Sequence, residues 1–193
     1  MTLKYAAIMV EHREVLLRDK PQAMLDVSEK ATVPILVLPD GRVIDESIDV
    51  MQWALEQRDT DHWWQPELAD QCLLLMEEND FGFKQHLDHY KYADRHPQHS
   101  QQHYRTEAEQ FLLQLENRLV STTFLLGQQL TFSDVAIFPF IRQFASIDKP
   151  WFDKAPYPKL RVWLQWFLES DLFIGVMQKY PPWHASQTAN IVT

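Results

Sequence analysis

Apolar residues follow two different patterns in the two parts of the chain. In residues 1 to about 58 they form short runs between turn residues, of which residues 35–38 are continuously apolar and lead into Pro39-Asp40-Gly41-Arg42. A continuous run predicts a strand covered on both faces, and Asp-Gly favours a hairpin turn, so we expect a second strand over residues 42–45. Residues 10–17 predict an earlier strand, and Pro21 opens a short helix to residue 27.

From Pro66 onward the pattern is helical. The spacing of Leu112, Leu115 and Leu119 places these side chains on one face of a helix, as expected for a core-facing element. The polar segment 59–66 predicts a linker, with a mixed α and β domain over residues 1–58 and an all-helical domain over residues 66–193. The helices are expected at residues 68–94, 97–119, 132–146 and 159–168, with short pieces near 172–177.

Composition and charge exclude several classes of protein. The net charge of −9 and the scattered Lys and Arg residues disfavour a nucleic-acid partner. A single cysteine, Cys72, excludes an intrachain disulfide framework and favours a reducing compartment. No apolar run is long enough for a membrane span, so we expect a soluble cytoplasmic protein without a membrane partner.

Two hydroxyl residues are placed to begin helices. Thr131 and Asp134 have the spacing of a capping box, in which each residue satisfies a backbone amide of the other. Ser47 is expected to cap a helix that ends near Arg58. A helix start of this kind also suits an anion, so the Glu46-Ser47 pair has a ligand-binding interpretation beside the structural one.

Together, the order strand, Val33-Pro34, hairpin and acidic-Ser helix, followed by a helical half with a capping box, resembles the cytosolic glutathione transferase family. The resemblance runs from about residue 3 to residue 177. It implies a thioredoxin-like domain followed by an all-helical domain, with glutathione as cosubstrate.

The resemblance also implies a set of glutathione-binding residues. Val33 and Pro34 match the family's Val-Pro, whose peptide bond is cis and whose backbone pairs with the cysteinyl part of glutathione. Glu46 and Ser47 match the pair that receives the γ-glutamyl ammonium and carboxylate. Lys30 stands where relatives carry a Lys near the glycyl carboxylate, although a solvated surface charge is the alternative.

The chain departs from the family at its N-terminal end. The run 10–17 matches the family's second strand, so the first strand and the loop with the catalytic Tyr, Ser or Cys have no counterpart. A late start codon, a shortened chain or repair of the sheet by a partner chain would each account for this. Neither Thr2 nor Tyr5 is assigned the catalytic role, Cys72 is expected to be a buried structural thiol, and the catalytic residue is unknown.

Five histidines lie between residues 86 and 103, but they lack the cysteine or carboxylate partners of a metal site, so no metal is expected. The resemblance implies a homodimer through the long helix at 68–94 and its successor. It also implies conjugation of glutathione to a small hydrophobic electrophile, or glutathione-dependent thiol exchange. The alternatives are a non-catalytic binding or regulatory protein and a stress-linked adaptor on the same fold.

Overall fold

The computed structural model describes residues 1–186 and 188–193, which form two compact units. The first unit contains Met1–Asp61 together with Asp171–Thr193, and the second contains His62–Ser170. The return of the C-terminal segment to the first unit is a feature that the sequence pattern did not indicate. The domain limits of 1–58 and 66–193 stay a prediction.

The first unit has a small amount of β-structure in two antiparallel ribbons. In one, Val10 lies opposite Val192, and in the other Leu36 lies opposite Ile44. Each described strand has only two residues. The strands are β1 (Val10–Glu11), β2 (Leu36–Val37), β3 (Val43–Ile44) and β4 (Ile191–Val192).

Two strand predictions need correction. The strand expected over residues 10–17 ends at Glu11. Among the described residues, only the two-residue β4 pairs with β1. Further along the chain, Leu16 and Asp19 form an isolated β-bridge. The strand at 35–38 is not covered on both faces, since the Val37 side chain is 51% exposed. The hairpin turn is as predicted, with Gly41 at a φ of +87°.

Helices make up most of the remaining structure, and the bundle predicted from Pro66 onward is confirmed. The α-helices are α1 (Thr2–Tyr5), α2 (Gln22–Leu25), α3 (Ser47–Gln57), α4 (Ala69–Glu77), α5 (Lys84–Lys91), α6 (Gln101–Leu119), α7 (Phe132–Ile147), α8 (Lys149–Phe152), α9 (Pro158–Glu169) and α10 (Asp171–Val176). Single 3₁₀ turns lie at Pro66–Leu68 and Ala93–Arg95. None of the described helices is long and apolar enough to cross a bilayer.

The single long helix predicted at 68–94 is divided by a π-helical segment, Glu78–Phe83, between α4 and α5. The wider turn changes the phase of the side chains, which a regular 3.6-residue period cannot anticipate. As a result Phe83 is buried against Phe111 and Phe144, whereas Phe81 is 80% exposed.

The core of the second unit is aromatic and centres on α7. Phe132 to Phe138 of this helix are all buried, and the Phe138 ring stacks on Phe167 of α9 with 4.5 Å between ring centroids. Trp163 meets both of these rings edge to face. Such pairs add specific geometry to the burial of apolar area, so the helices of this unit have well-defined partners.

The predicted capping box at Thr131 and Asp134 is present and extends into a wider network. The fully buried Asp134 carboxylate accepts four hydrogen bonds, from the Thr131 N–H and hydroxyl, the Leu125 N–H and the Trp163 indole, at 2.6 to 3.0 Å. Burial raises the pKa of Asp134, and the four donors oppose this. The carboxyl group therefore joins the start of α7 to a preceding loop and to α9.

We expect Asp134→Ala to lower the free energy of unfolding by at least about 3 kcal/mol, because several buried donors lose their acceptor. Asp134→Asn, which keeps one acceptor oxygen, should fold with a smaller loss. Urea unfolding followed by circular dichroism measures both. Asp153→Ala, which breaks only the exposed pair with Lys149, is the control and should cost under about 1 kcal/mol. Equal losses for Asp134→Ala and Asp153→Ala would contradict the role of the network.

Candidate functional site

The loop before β2 presents an accessible stretch of backbone. The Val33–Pro34 peptide bond is cis, which confirms the sequence prediction, and Val33 is 51% exposed. Among the described residues, none forms a hydrogen bond with the Val33 backbone N–H or C=O. These two groups are therefore free to pair with an extended peptide-like ligand.

The start of α3 presents a second set of free donors. Ser47 is the first residue of this 11-residue helix rather than its cap, which corrects the sequence prediction. The reason is that the Val50 N–H bonds the carbonyl of Glu46, whose backbone is extended, so Glu46 takes the cap position. The hydroxyl of the exposed Ser47 and the amides of residues 47–49 have no acceptor among the described residues, which leaves them available to an anion.

Charged contacts connect the loop that precedes Val33 to the start of α3. The Lys30 ammonium lies 2.7 Å from Glu46 Oε1 and 3.2 Å from Asp45 Oδ1. The hydroxyl of the buried Ser28 donates to Asp45 Oδ2 at 3.0 Å. Lys30 and Glu46, two of the predicted site residues, are thus in direct contact.

These contacts change the ionisation of the groups involved. The hydrogen bonds to Glu46 and Asp45 raise the pKa of Lys30. The bond from Ser28, followed by that from Lys30, lowers the pKa of Asp45. Both groups are therefore charged at neutral pH. Since Lys30 and Glu46 are each more than half exposed, their ion pair is weak enough for a ligand to replace it.

Sequence reasoning missed Ser28 and Asp45, which organise the site without lying in the recognised motif. Asp45 directly precedes Glu46-Ser47, but its contacts with Ser28 and Lys30 depend on where the two loops meet, which no local sequence pattern indicates. The other predicted members, Val33, Pro34 and Ser47, lie in the same compact unit as these residues.

The side chains considered as nucleophiles are either buried or already hydrogen-bonded. Thr2 is buried, and the Tyr5 hydroxyl lies 3.1 Å from an Asp59 carboxylate oxygen and accepts from the Asp61 N–H at 2.7 Å. Cys72 is buried as predicted, and burial raises the pKa of its thiol, which disfavours the reactive thiolate. None of these three supplies a free reactive group.

The histidines form ring contacts rather than a ligand cage. His89 and His96 lie 4.0 Å apart and His99 and His103 lie 4.2 Å apart, measured between ring centroids, and all four contact Tyr104. In residues 1–186 and 188–193, no group of three or more His, Cys, Asp or Glu side chains is arranged to hold a metal ion.

Comparison with known proteins connects this geometry to one family. Residues 1–62 match the model of the glutathione S-transferase N-terminal domain, and residues 93–165 match that of the glutathione S-transferase C-terminal domain. No curated protein sequence matches the chain significantly.

Solved structures with the same fold share low sequence identity with the chain. A bacterial glutathione transferase, BphK, in a ternary complex is 20% identical, with 90% of this chain and 88% of that one covered and a TM-score of 0.74. The transferase URE2P6 of Phanerochaete chrysosporium, solved with oxidized glutathione, is 18% identical over 91% and 86% of the chains, with a TM-score of 0.77. A transferase of Methylobacillus flagellatus with glutathione bound is 17% identical over 90% and 89%, with a TM-score of 0.76.

The hydrogen bond from Ser28 is the main cause of the lowered pKa of Asp45. Because the lowered pKa belongs to the folded state, the contact stabilises the protein above the ordinary carboxyl pKa of about 3.9, and this stabilisation is lost as the pH falls through the lowered value. We expect Ser28→Ala to raise the Asp45 pKa towards 3.9 in a carboxyl NMR titration. Ser146→Ala, which removes only a bond to a carbonyl of its own helix, is the control and should leave Asp45 unchanged. An Asp45 pKa that Ser28→Ala does not move would refute the contact.

Proposed function

The chain belongs to the glutathione S-transferase family, and from that premise we propose that it binds glutathione at the site formed by Val33, Pro34, Glu46, Ser47 and Lys30. The observation that carries the proposal is the pair of free backbone groups at Val33 together with the free helix start at Ser47. One suits the peptide portion of the tripeptide and the other its α-carboxylate.

Each end of glutathione has a chemically matched partner. The γ-glutamyl carboxylate is received by the Ser47 hydroxyl and the first amides of α3, where the helix dipole favours negative charge. The γ-glutamyl ammonium pairs with Glu46 and replaces Lys30 as its partner. The Lys30 released in this way becomes available to the glycyl carboxylate. Ligand binding is thus an exchange of charge partners in which no ion is left unpaired.

The reaction that we propose is conjugation of glutathione to a small hydrophobic electrophile, in the cytoplasm. The glutathione sulfur forms a bond to an electrophilic carbon, the leaving group departs with its electron pair, and the thiol proton passes to solvent. Thiol exchange is the related possibility, in which the thiolate attacks a disulfide sulfur and the second sulfur leaves as a thiolate. Glutathione is the cosubstrate in both, and the catalytic residue remains unassigned.

A non-catalytic binding or regulatory role is the second candidate. It is favoured by the burial of Thr2 and Cys72 and by the hydrogen bonding of the Tyr5 hydroxyl, since none of these side chains offers a free group to activate a thiol. Turnover separates the two functions. Glutathione binding accompanied by conjugation of 1-chloro-2,4-dinitrobenzene above the uncatalysed rate supports the enzyme, whereas binding without conjugation or disulfide exchange supports the second role.

We expect Ser47→Ala to weaken glutathione binding by about 1 to 3 kcal/mol, because it removes a hydrogen bond to a charged group. Isothermal titration calorimetry measures the affinity. Ser100→Ala is the matched control, since Ser100 caps α6 through the His103 N–H in the other unit and should leave affinity unchanged. An unaltered affinity in Ser47→Ala would refute the site.

We also propose a homodimer through the exposed apolar side chains of α4, the π-helical segment and α6, namely Leu73, Leu74, Phe81 and Leu113. Phe81→Asp should weaken association at least tenfold, because a charge would enter an apolar contact. Light scattering after size exclusion across a dilution series measures this. Val162→Asp, an exposed apolar position on α9 outside the surface, should leave the dimer intact. A wild-type chain that is monomeric at every concentration would contradict the proposal.

A further inference from the structure

Four imidazole rings meet at the connection between α5 and α6, residues 92–100, and the proposed function does not use them. His89 on α5 and His96 in the connection form an inner pair, and both side chains are partly buried. His99 and His103 form an outer pair, and both are exposed. Histidine is the side chain that ordinarily changes its charge between about pH 5 and 8, so each pair is a place where protons can act on the fold.

The inner pair holds the connection against α5. The ring centroids of His89 and His96 lie 4.0 Å apart, and the ring planes are inclined at 39°. The hydroxyl of the buried Tyr104 donates to the His96 carbonyl at 2.9 Å, and the Tyr104 ring meets the His89 ring edge to face. The position of His96 therefore couples the ring contact to the hydrogen bond of Tyr104.

One carboxylate lies close enough to balance charge on the inner pair. Asp88 Oδ2 is 3.6 Å from His96 Nε2, so it offsets a single positive charge there. Desolvation by burial, followed by repulsion from His96, lowers the pKa of His89, and His86 on the same helix acts in the same direction. The surroundings thus accommodate one proton on the pair and resist a second.

The charged side chains of the neighbouring elements have other partners or positions. The basic ones lie over other rings, Lys91 and Arg95 over Tyr92, and Arg105 over Trp151. The acidic ones are Asp94, which is exposed, Glu107, on the same face of α6 as His103, Glu109, which accepts from Tyr157, and Asp80, which pairs with Lys84. The helix α7 meets α5 through the rings of Phe144 and Tyr90. Asp88 is therefore the carboxylate that the described contacts place beside the inner pair.

A second proton would put two positive charges on rings whose centroids are 4.0 Å apart. In a partly buried site, repulsion at this distance changes an equilibrium by at least about tenfold. Separation of the rings relieves the repulsion, and the movement of His96 breaks the bond between its carbonyl and the Tyr104 hydroxyl. Ser100 still accepts from the His103 N–H at 3.1 Å, so the start of α6 stays capped.

We propose that His89 and His96 form an acid-sensitive clasp, which holds the connection between α5 and α6 closed near neutral pH and releases it when both imidazoles are protonated. The protons come from solvent, and no other reactant is needed. The released state binds the second proton more readily than the closed state does, so the closed state loses stability as the pH falls below the ordinary histidine pKa of about 6.5. The clasp lies within the second unit and does not rest on the proposed glutathione site.

Amide hydrogen exchange measured by NMR tests the clasp, with each rate corrected for the pH dependence of intrinsic exchange. The Arg95 and His96 amides donate to carbonyls within the connection. Their opening should be at least about tenfold more frequent at about pH 5 than at about pH 7.5, whereas the amides of α7 should keep their protection. Equal opening of the two amides at both pH values would overturn the clasp. Faster exchange throughout α7 at the lower pH would mean that the whole unit loosens, and this would overturn the clasp as well.

Two variants identify the inner pair as the cause. His89→Phe keeps an aromatic ring in the contact but cannot take up a proton, so the connection should stay closed at both pH values. His99→Gln is the matched control, because it removes an exposed ring of the outer pair and should leave the pH dependence of the wild type intact. A pH dependence that survives His89→Phe, or one that His99→Gln abolishes, would contradict the assignment to His89 and His96.

Titration of the histidine ring signals by NMR gives an independent measurement. In the wild type, the inner pair should take up its two protons in separate steps, as interacting groups do. His96→Gln should move the titration of His89 towards the ordinary pKa of about 6.5, because the neighbouring charge is gone. A His89 titration that His96→Gln leaves unchanged would refute the interaction between the two rings.

Discussion

The second unit depends on the hydrogen bonds that the buried Asp134 carboxylate accepts. A carboxyl group without water is costly unless its oxygens are satisfied, and here donors from the start of α7, the Leu125 amide and the α9 indole satisfy them. The Leu125 and Thr131 donors lie 9 and 3 residues before Asp134, and the Trp163 donor lies 29 residues after it, so the network combines local and longer-range contacts. The aromatic core packs along the same helix, whose first turn this network holds.

The candidate site in the first unit follows a different principle, because its charges are exposed and exchangeable. The Lys30 ammonium pairs with Asp45 and Glu46, and surface ion pairs of this kind contribute little to stability. In the site that we propose, ion pairs this weak can be replaced by a ligand that offers better charge partners. In the glutathione site that we propose, the Val33 backbone binds the peptide portion of the ligand and the Lys30 ammonium binds its glycyl carboxylate.

Much of the fold could be predicted because its signals are local. The Asp40-Gly41 turn, the capping box and the helices α3, α6, α7 and α9 each depend on a few neighbouring residues. The π-helical segment could not be predicted, since the choice between a 3.6-residue period and a wider turn depends on which of Phe81 and Phe83 finds core partners. Likewise the roles of Ser28 and Asp45 required knowledge of where the two loops meet. Trp183 beside Arg13 joins positions near opposite ends of the sequence, and no local pattern indicates such a contact.

The pairing of β1 with β4 has a consequence for how the protein is made. The partner strand of β1 is β4, which is synthesised after the whole second unit. Contacts of such large sequence separation form slowly, because closing a long loop costs entropy before the contacts stabilise the chain. On the ribosome, the helical unit therefore has its complete sequence before the unit that contains the candidate site does. The first unit accordingly completes its β1–β4 ribbon only after the helical unit has been synthesised.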